Sequence, residues 1–387
     1  MIYLDNAATT KIDPEVLEVM KPYINEEYGN AGTKYQLGRN AAQAIQKARQ
    51  QVADLINCSP EQIVFTSGGC EANSLVFYGL RQHLINEGKK HIITSSVEHD
   101  SILKCAHNLC IKDEFYISYT GVDKVGTVNI QEIKNSITEG TGLVSIMHMN
   151  NETGTENPIE EIGMICSHKK VLFHTDCVQS LGSCKIDVRE IGCDFLTLSS
   201  HKIHGAKGVG ALYVRDISLL NSIIEGGNAQ EFGLRGGTEN VAGIVGFGKA
   251  CEILYHKQND FDLHTSILKQ SFFAELTNKL NEYNLSHIIH LNGDSVIKHG
   301  KIINIRFDGI DGETLLLALD NANICVSSGS ACSSNKSEAS HVLQAMGLSE
   351  EEARSSIRIS FSRMNTKDDV EKAASLIADC VRFLYKN

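Results

Sequence analysis

A lysine in a tight turn between two apolar runs is the most reactive arrangement in this sequence. Phe195 to Leu198 leads into Ser199-Ser200-His201-Lys202-Ile203-His204-Gly205-Ala206-Lys207-Gly208, after which Val209 to Val214 is apolar again. Buried strands on either side desolvate the Lys202 amine, lowering its proton affinity and making it a nucleophile suited to Schiff-base chemistry. A second chemical group stands at the end of the apolar run Val171 to Thr175, where Asp176 is followed by Cys177-Val178-Gln179. A carboxylate there is costly unless a cation pairs with it, and a helix N-cap is the plainer assignment. A third is the run Ser67-Gly68-Gly69-Cys70-Glu71-Ala72-Asn73 after the strand ending at Thr66. Small residues opening a helix let backbone N–H groups approach a phosphate, although a Gly-Gly turn is often plain geometry and no nucleotide-loop pattern accompanies it. A fourth is Val326 to Ser337, small and polar with Cys332 at its middle, which reads as an exposed and mobile loop around one reactive thiol. His201 and His204 also sit at metal-ligand spacing, but with no third ligand nearby no metal is expected.

A phosphate cradle, an acid able to hold a pyridinium nitrogen and a desolvated lysine are together the parts a pyridoxal 5'-phosphate (PLP) enzyme needs. The elements that position them follow from apolar periodicity. Ala41, Ile45, Ala48, Val52, Leu55 and Ile56 have a helical period that ends at Asn57. Short apolar runs then recur at Ile63 to Thr66, His91 to Ser95, Phe115 to Tyr119, Leu143 to His148, Val171 to Thr175, Phe195 to Leu198 and Val209 to Val214, with helical stretches between them. That alternation predicts an α/β fold whose seven-stranded, mostly parallel sheet is covered by helices on both faces. Helical periods over Val241 to Tyr255 and Ser266 to Leu280, strands at Ile302 to Phe307 and Ser356 to Phe361, and a last helix from Lys367 to Leu384 predict a smaller α+β unit. The expected division is a large domain over 16–255 and a small one from 1–15 and 256–387 that carries the Cys332 loop. Ligands of open α/β sheets lie beyond the carboxyl ends of the strands, where Asp176, Ser199 and the glycine turn all fall.

The 387 residues carry a net charge of −11, which argues against direct nucleic-acid binding. No run approaches a membrane span, and the start Met1-Ile2-Tyr3-Leu4-Asp5 has no basic or apolar leader. Twelve cysteines without a C-x-x-C pair suggest reduced thiols in a cytoplasmic protein rather than a disulfide framework.

Several ordered motifs resemble cysteine desulfurases of the NifS/IscS type, members of the class V aminotransferase group of fold-type I PLP enzymes. They are Tyr3-Leu4-Asp5-Asn6-Ala7-Ala8-Thr9-Thr10, Thr66-Ser67-Gly68-Gly69, Glu98-His99, Asn150-Asn151-Glu152-Thr153-Gly154, His174-Thr175-Asp176, Ser200-His201-Lys202, Arg235-Gly236-Gly237-Thr238-Glu239-Asn240 and Ser328-Gly329-Ser330-Ala331-Cys332, and the likeness runs nearly end to end.

The resemblance implies that Lys202 is the Schiff-base lysine, Asp176 pairs with the pyridinium nitrogen and Gln179 hydrogen-bonds the ring's phenolic oxygen. It places His99 against the ring as a proton-transfer group. Backbone at Gly69 and Cys70, together with Ser199 and His201, would hold the phosphate, and Thr238 would reach it from a partner subunit. Asn151 and Arg358 would orient substrate, Arg358 through a bidentate carboxylate contact. The implied reaction turns L-cysteine into L-alanine and leaves a persulfide on Cys332 for a protein acceptor, in iron–sulfur cluster assembly or another thiolation pathway. The implied assembly is a homodimer. A selenocysteine lyase or another class V aminotransferase is the alternative. Two departures stand out: Cys70 replaces the usual Thr, leaving only a backbone contact to phosphate, and the loops at Gly29-Asn30-Ala31-Gly32 and His204-Gly205-Ala206-Lys207 lack the family's proline.

Overall fold

In the computed structural model, residues 1–227, 230–294, 301–328 and 339–385 are described. The chain opens with β1 (Ile2–Tyr3), α1 (Pro14–Asn25) and α2 (Gln36–Ile56), and then alternates. Next come β2 (Ile63–Thr66), α3 (Gly69–Asn86), β3 (His91–Ser95), α4 (Asp100–Asp113), β4 (Tyr116–Thr120), α5 (Ile130–Ser136), β5 (Thr141–Ser145), α6 (Ile159–Lys169), β6 (Leu172–Asp176), α7 (Val188–Ile191), β7 (Phe195–Ser199) and β8 (Gly210–Val214). After α8 (Val241–Glu282) follow β9 (Ile289–Asn292), β10 (Ile302–Phe307), α9 (Gly312–Asn321), β11 (Ile324–Cys325), α10 (His341–Ala345), α11 (Glu350–Arg354), β12 (Ser356–Ser360) and α12 (Lys367–Tyr385).

The seven-stranded sheet has the order β2-β8-β7-β6-β5-β3-β4, and all strands but β8 run parallel. Strands β5, β7 and β8 are buried throughout and β6 at all but its first residue, as expected where helices cover both faces. One apolar core joins the sheet to α1, α2, α6 and the first part of α8, and another packs α3 and α4 on the opposite face. A separate core lies between the sheet β12-β10-β9 and α9, α12 and the end of α8. The fold expected from periodicity is the fold observed.

Most strand bounds shift by a residue at most, and two larger differences have physical reasons. The run Leu143 to His148 is strand only to Ser145, yet Ile146 N still donates to His174 O (3.1 Å) and His148 N to Asp176 O (3.0 Å). The apolar signal continues because the chain stays buried after leaving the regular ladder. The two helical stretches expected over 241–280 are one helix of 42 residues. Its buried positions lapse between Leu254 and Thr265, where it passes from one core to the other, and that stretch contains neither glycine nor proline to stop it. No helix among the described residues is long and apolar enough to cross a membrane.

The segment before α8 is tied to the sheet by a buried ion pair. Arg49 Nη2 and Nη1 meet Glu231 Oε1 (2.6 Å) and Oε2 (2.8 Å), and Phe65 N donates to the same carboxylate (2.7 Å). With side-chain exposures of 4% and 3%, removing one partner strands the other charge in the interior. Glu231→Gln should therefore lower unfolding free energy by about 3 kcal/mol or more in urea denaturation, whereas replacing Arg49 and Glu231 together by apolar residues should cost less.

Candidate active site

Sheet register brings the predicted phosphate ligands together. Gly210 is paired with Thr66 on one side and with Ser199 on the other, so the ends of β2 and β7 lie beside a position without a side chain. A Cβ at Gly210 would come within 2.7 Å of Gly68 Cα, so only glycine admits the turn that starts α3. Gly68, at φ 153°, is the N-cap and supplies no side-chain cap. The first intrahelical bond runs from Ala72 N to Gly68 O (3.1 Å), so the N–H groups of the first helical turn point out of the helix start. The Ser199 and Ser200 hydroxyls are buried and lack a hydrogen-bond partner. Ser200 is an addition to the predicted set. His201 Nδ1 lies 3.1 Å from Thr9 Oγ1, and burial, reinforced by the Lys202 charge, pushes the ring down to about 4, so it is neutral near pH 7.

Asp176 ends β6. Its Oδ1 accepts from Val178 N (2.9 Å) and its Oδ2 from Asn73 Nδ2 (2.9 Å), which also reaches Ser101 Oγ (2.9 Å). No helix follows Asp176; it caps a turn and is held across the site by α3. Asn73, one helical turn beyond Gly69 on α3, is a site residue whose signal in the sequence is that spacing alone. His99 is the N-cap of α4. A backbone N–H can only donate, so the bond from Ser101 N to Nδ1 (3.1 Å) leaves the neutral ring's proton on Nε2. Burial, with Lys202 adding, keeps His99 below its usual range despite Asp176.

Lys202 lies in a one-turn helix between β7 and β8, as expected, but it is half-buried rather than fully desolvated. The first residues of the chain fold across it. Lys202 Nζ donates to Ala7 O (2.5 Å) and Ala8 O (2.8 Å), and Gln179 Nε2 also donates to Ala7 O (2.9 Å). Gln179 Oε1 is buried without a partner. The main-chain role of Ala7 left no trace in residue type.

Arg358, on β12, is buried. Its Nη2 pairs with Asp5 Oδ1 (2.9 Å), its Nη1 donates to Asn151 O (2.9 Å), and its Nε has no partner. Arg358 and Asn151 thus meet through the Asn151 main chain, with Asp5 in the place of an acidic ligand. Thr238 is exposed on a segment joined to α3 by Arg235 Nε and Glu71 Oε1 (3.0 Å). Cys332 lies outside the described residues.

A family model described as aminotransferase class-V matches residues 2–373. The chain belongs to the class-V aminotransferase family. A cysteine desulfurase IscS of Dictyoglomus turgidum is 41% identical over 369 residues, covering 95% of this chain and 91% of the relative. Among solved structures, a NifS-like protein superposes with a TM-score of 0.90 at 34% identity, covering 99% of this chain and all (100%) of the other. SspA, solved in complex with cysteine, gives a TM-score of 0.78 at 36% identity, covering 95% of this chain and 100% of its own. The cofactor of this class-V enzyme is PLP. The structure fits it: the uncapped start of α3 and two unpartnered serine hydroxyls suit a phosphate, and Asp176 and Lys202 flank the same strand ends.

Glu98, next to His99, is buried, accepting from Ser95 Oγ (2.7 Å) and Met147 N (2.9 Å), and burial pushes it up to about 8. The folded protein thus holds a proton on Glu98 that the unfolded chain, with an ordinary value of 4.5, releases. Stability from this group is complete below that value and is lost as pH rises toward 8. Glu98→Gln, which cannot titrate, should show a smaller drop in urea midpoint between pH 5 and pH 8 than the parent; an equal drop would show Glu98 to be ionised in the fold.

Proposed function

We propose that this chain is a cysteine desulfurase that converts L-cysteine to L-alanine and retains the sulfur as a persulfide on Cys332. The observation that carries the reading is that Lys202 and Arg358 both reach the opening segment, at Ala7 and Ala8 and at Asp5 respectively. An amine for covalent work and a guanidinium for an amino-acid carboxylate therefore meet the same short segment of chain. The likeness to a chain solved with cysteine supports the substrate.

Ser199, Ser200, His201 and the start of α3 would hold the phosphate, Asp176 would pair with the ring nitrogen, Gln179 with the phenolic oxygen, and His99 would lie against the ring. Bound PLP supplies an electron sink for the pair left when the substrate Cα–H bond breaks. Arg358 binds the substrate carboxylate, with Asn151 beside it, and exchanges Asp5 for that carboxylate. Lys202 Nζ takes the Cα proton, which Ala7 and Ala8 carbonyls help it hold. His99 shares its Nε2 proton with the reacting centre. The Cys332 thiolate attacks the substrate sulfur: an S–S bond forms, the carbon–sulfur bond breaks with its electron pair left on the β-carbon, that carbon takes a proton, and Lys202 returns its proton to Cα so that alanine departs.

The sulfur then passes to a protein acceptor of the iron–sulfur or another thiolation pathway. The enzyme is a cytoplasmic homodimer in which exposed Thr238 serves the partner's phosphate site. The large unit is 16–255 and the small one 1–15 with 256–387, a division supported by the two cores that α8 links.

Incubation with L-cysteine and a thiol reductant, with no keto acid, should release alanine and sulfide in equal amounts. Cys332→Ala should lose at least about 99% of both while still binding cofactor, a loss typical of removing an essential nucleophile. Undiminished alanine formation by that variant, or a requirement for keto acid, would contradict the assignment. Arg358→Lys should raise the KM for cysteine roughly tenfold or more through loss of a charged, two-point hydrogen bond.

A further inference from the structure

The buried lysine beside the site is one that no motif singled out. Lys301 immediately precedes β10, and its carbonyl is fixed by Phe361 N (2.8 Å). Its Nζ lies 3.4 Å from the carbonyl oxygen of Lys202 and 3.5 Å from that of Gln179. These are the two residues whose side chains converge on Ala7 O. One ammonium therefore holds, from behind, both main-chain points from which those side chains depart.

We propose that Lys301 is a positioning residue for Lys202, holding the turn that carries it and setting a like charge near its amine. The proposal rests on Lys202 being the cofactor-bearing amine. Burial first, and then the Lys202 charge, push Lys301 down to about 8. The interaction is mutual, so a charged Lys301 disfavours a proton on the Lys202 nitrogen, and the two titrate as a coupled pair. The other charged or titratable groups around Lys301 leave it the titrating cation on this side. His201 and His204, from the Lys202 turn, are each pushed down to about 4, chiefly by burial. Arg363, after β12, is paired with Asp13 (2.5 Å). Cys184, after β6, is kept protonated by burial, with Glu156 adding. From α8, the lining of the narrow cavity shared by Lys202 and Lys301 is Leu254, Phe261 and Thr265.

The test is a pH titration of the visible absorption of the PLP-loaded enzyme. The parent should titrate over a broad range, as two coupled protons do. Lys301→Gln, which keeps a donor, and Lys301→Met, which packs without one, should each give a single step with a midpoint about one pH unit higher, a tenfold gain in proton affinity. Lys301→Arg, which stays charged throughout, should put the midpoint at or below the parent's. Parent-like curves in both uncharged variants would overturn the proposal, and either one that folds suffices to show it. A parent protein that takes up PLP without any visible band would instead sink the cofactor reading beneath it.

Discussion

Ala7 O accepts hydrogen bonds from Lys202 and from Gln179, and this shared acceptor is the constraint on which the site depends. It works only if the start of the chain lies across the carboxyl ends of β6 and β7. The lie of that segment is set from the other side: Ala7 N donates to Ser360 Oγ (2.8 Å), Asn6 Nδ2 to Ser360 O (2.8 Å), and Leu4 belongs to the core built around β10 and β12. The large sheet supplies the amine and the acid, and the smaller sheet supplies what orients them. Neither set of elements makes the pocket alone.

Burial then decides the protonation states. His201 and His204 are neutral because they are desolvated beside cations, and Glu98 keeps its proton because nothing positive compensates its burial. Asp176 is fixed in place by two donors, Val178 N and Asn73 Nδ2.

Much of this was legible in the sequence. The runs Ile63 to Thr66 and His91 to Ser95 are strands to the residue, because each is bounded by turn residues and buried on both faces. The positions of Asp176, Ser199 and Lys202 followed from those strand ends. What escaped were contacts made by main-chain atoms or across long separations. The Ala7 carbonyl has no residue-type signature, and Asp5 and Arg358 stand 353 positions apart. Lys301 looks like any strand-flanking lysine until the cores close around it. The expectation of a buried Lys202 erred for a related reason: strands desolvate the ends of a turn, while its tip remains half-buried facing the pocket.

The central claim, that Lys202 is the amine that carries the cofactor, is tested most directly by reducing the PLP-loaded enzyme with borohydride and locating the added phosphopyridoxyl mass by peptide sequencing. The account predicts it on Lys202 alone. Its recovery on the deeper Lys301, or on Lys207 in the same loop, would contradict the account.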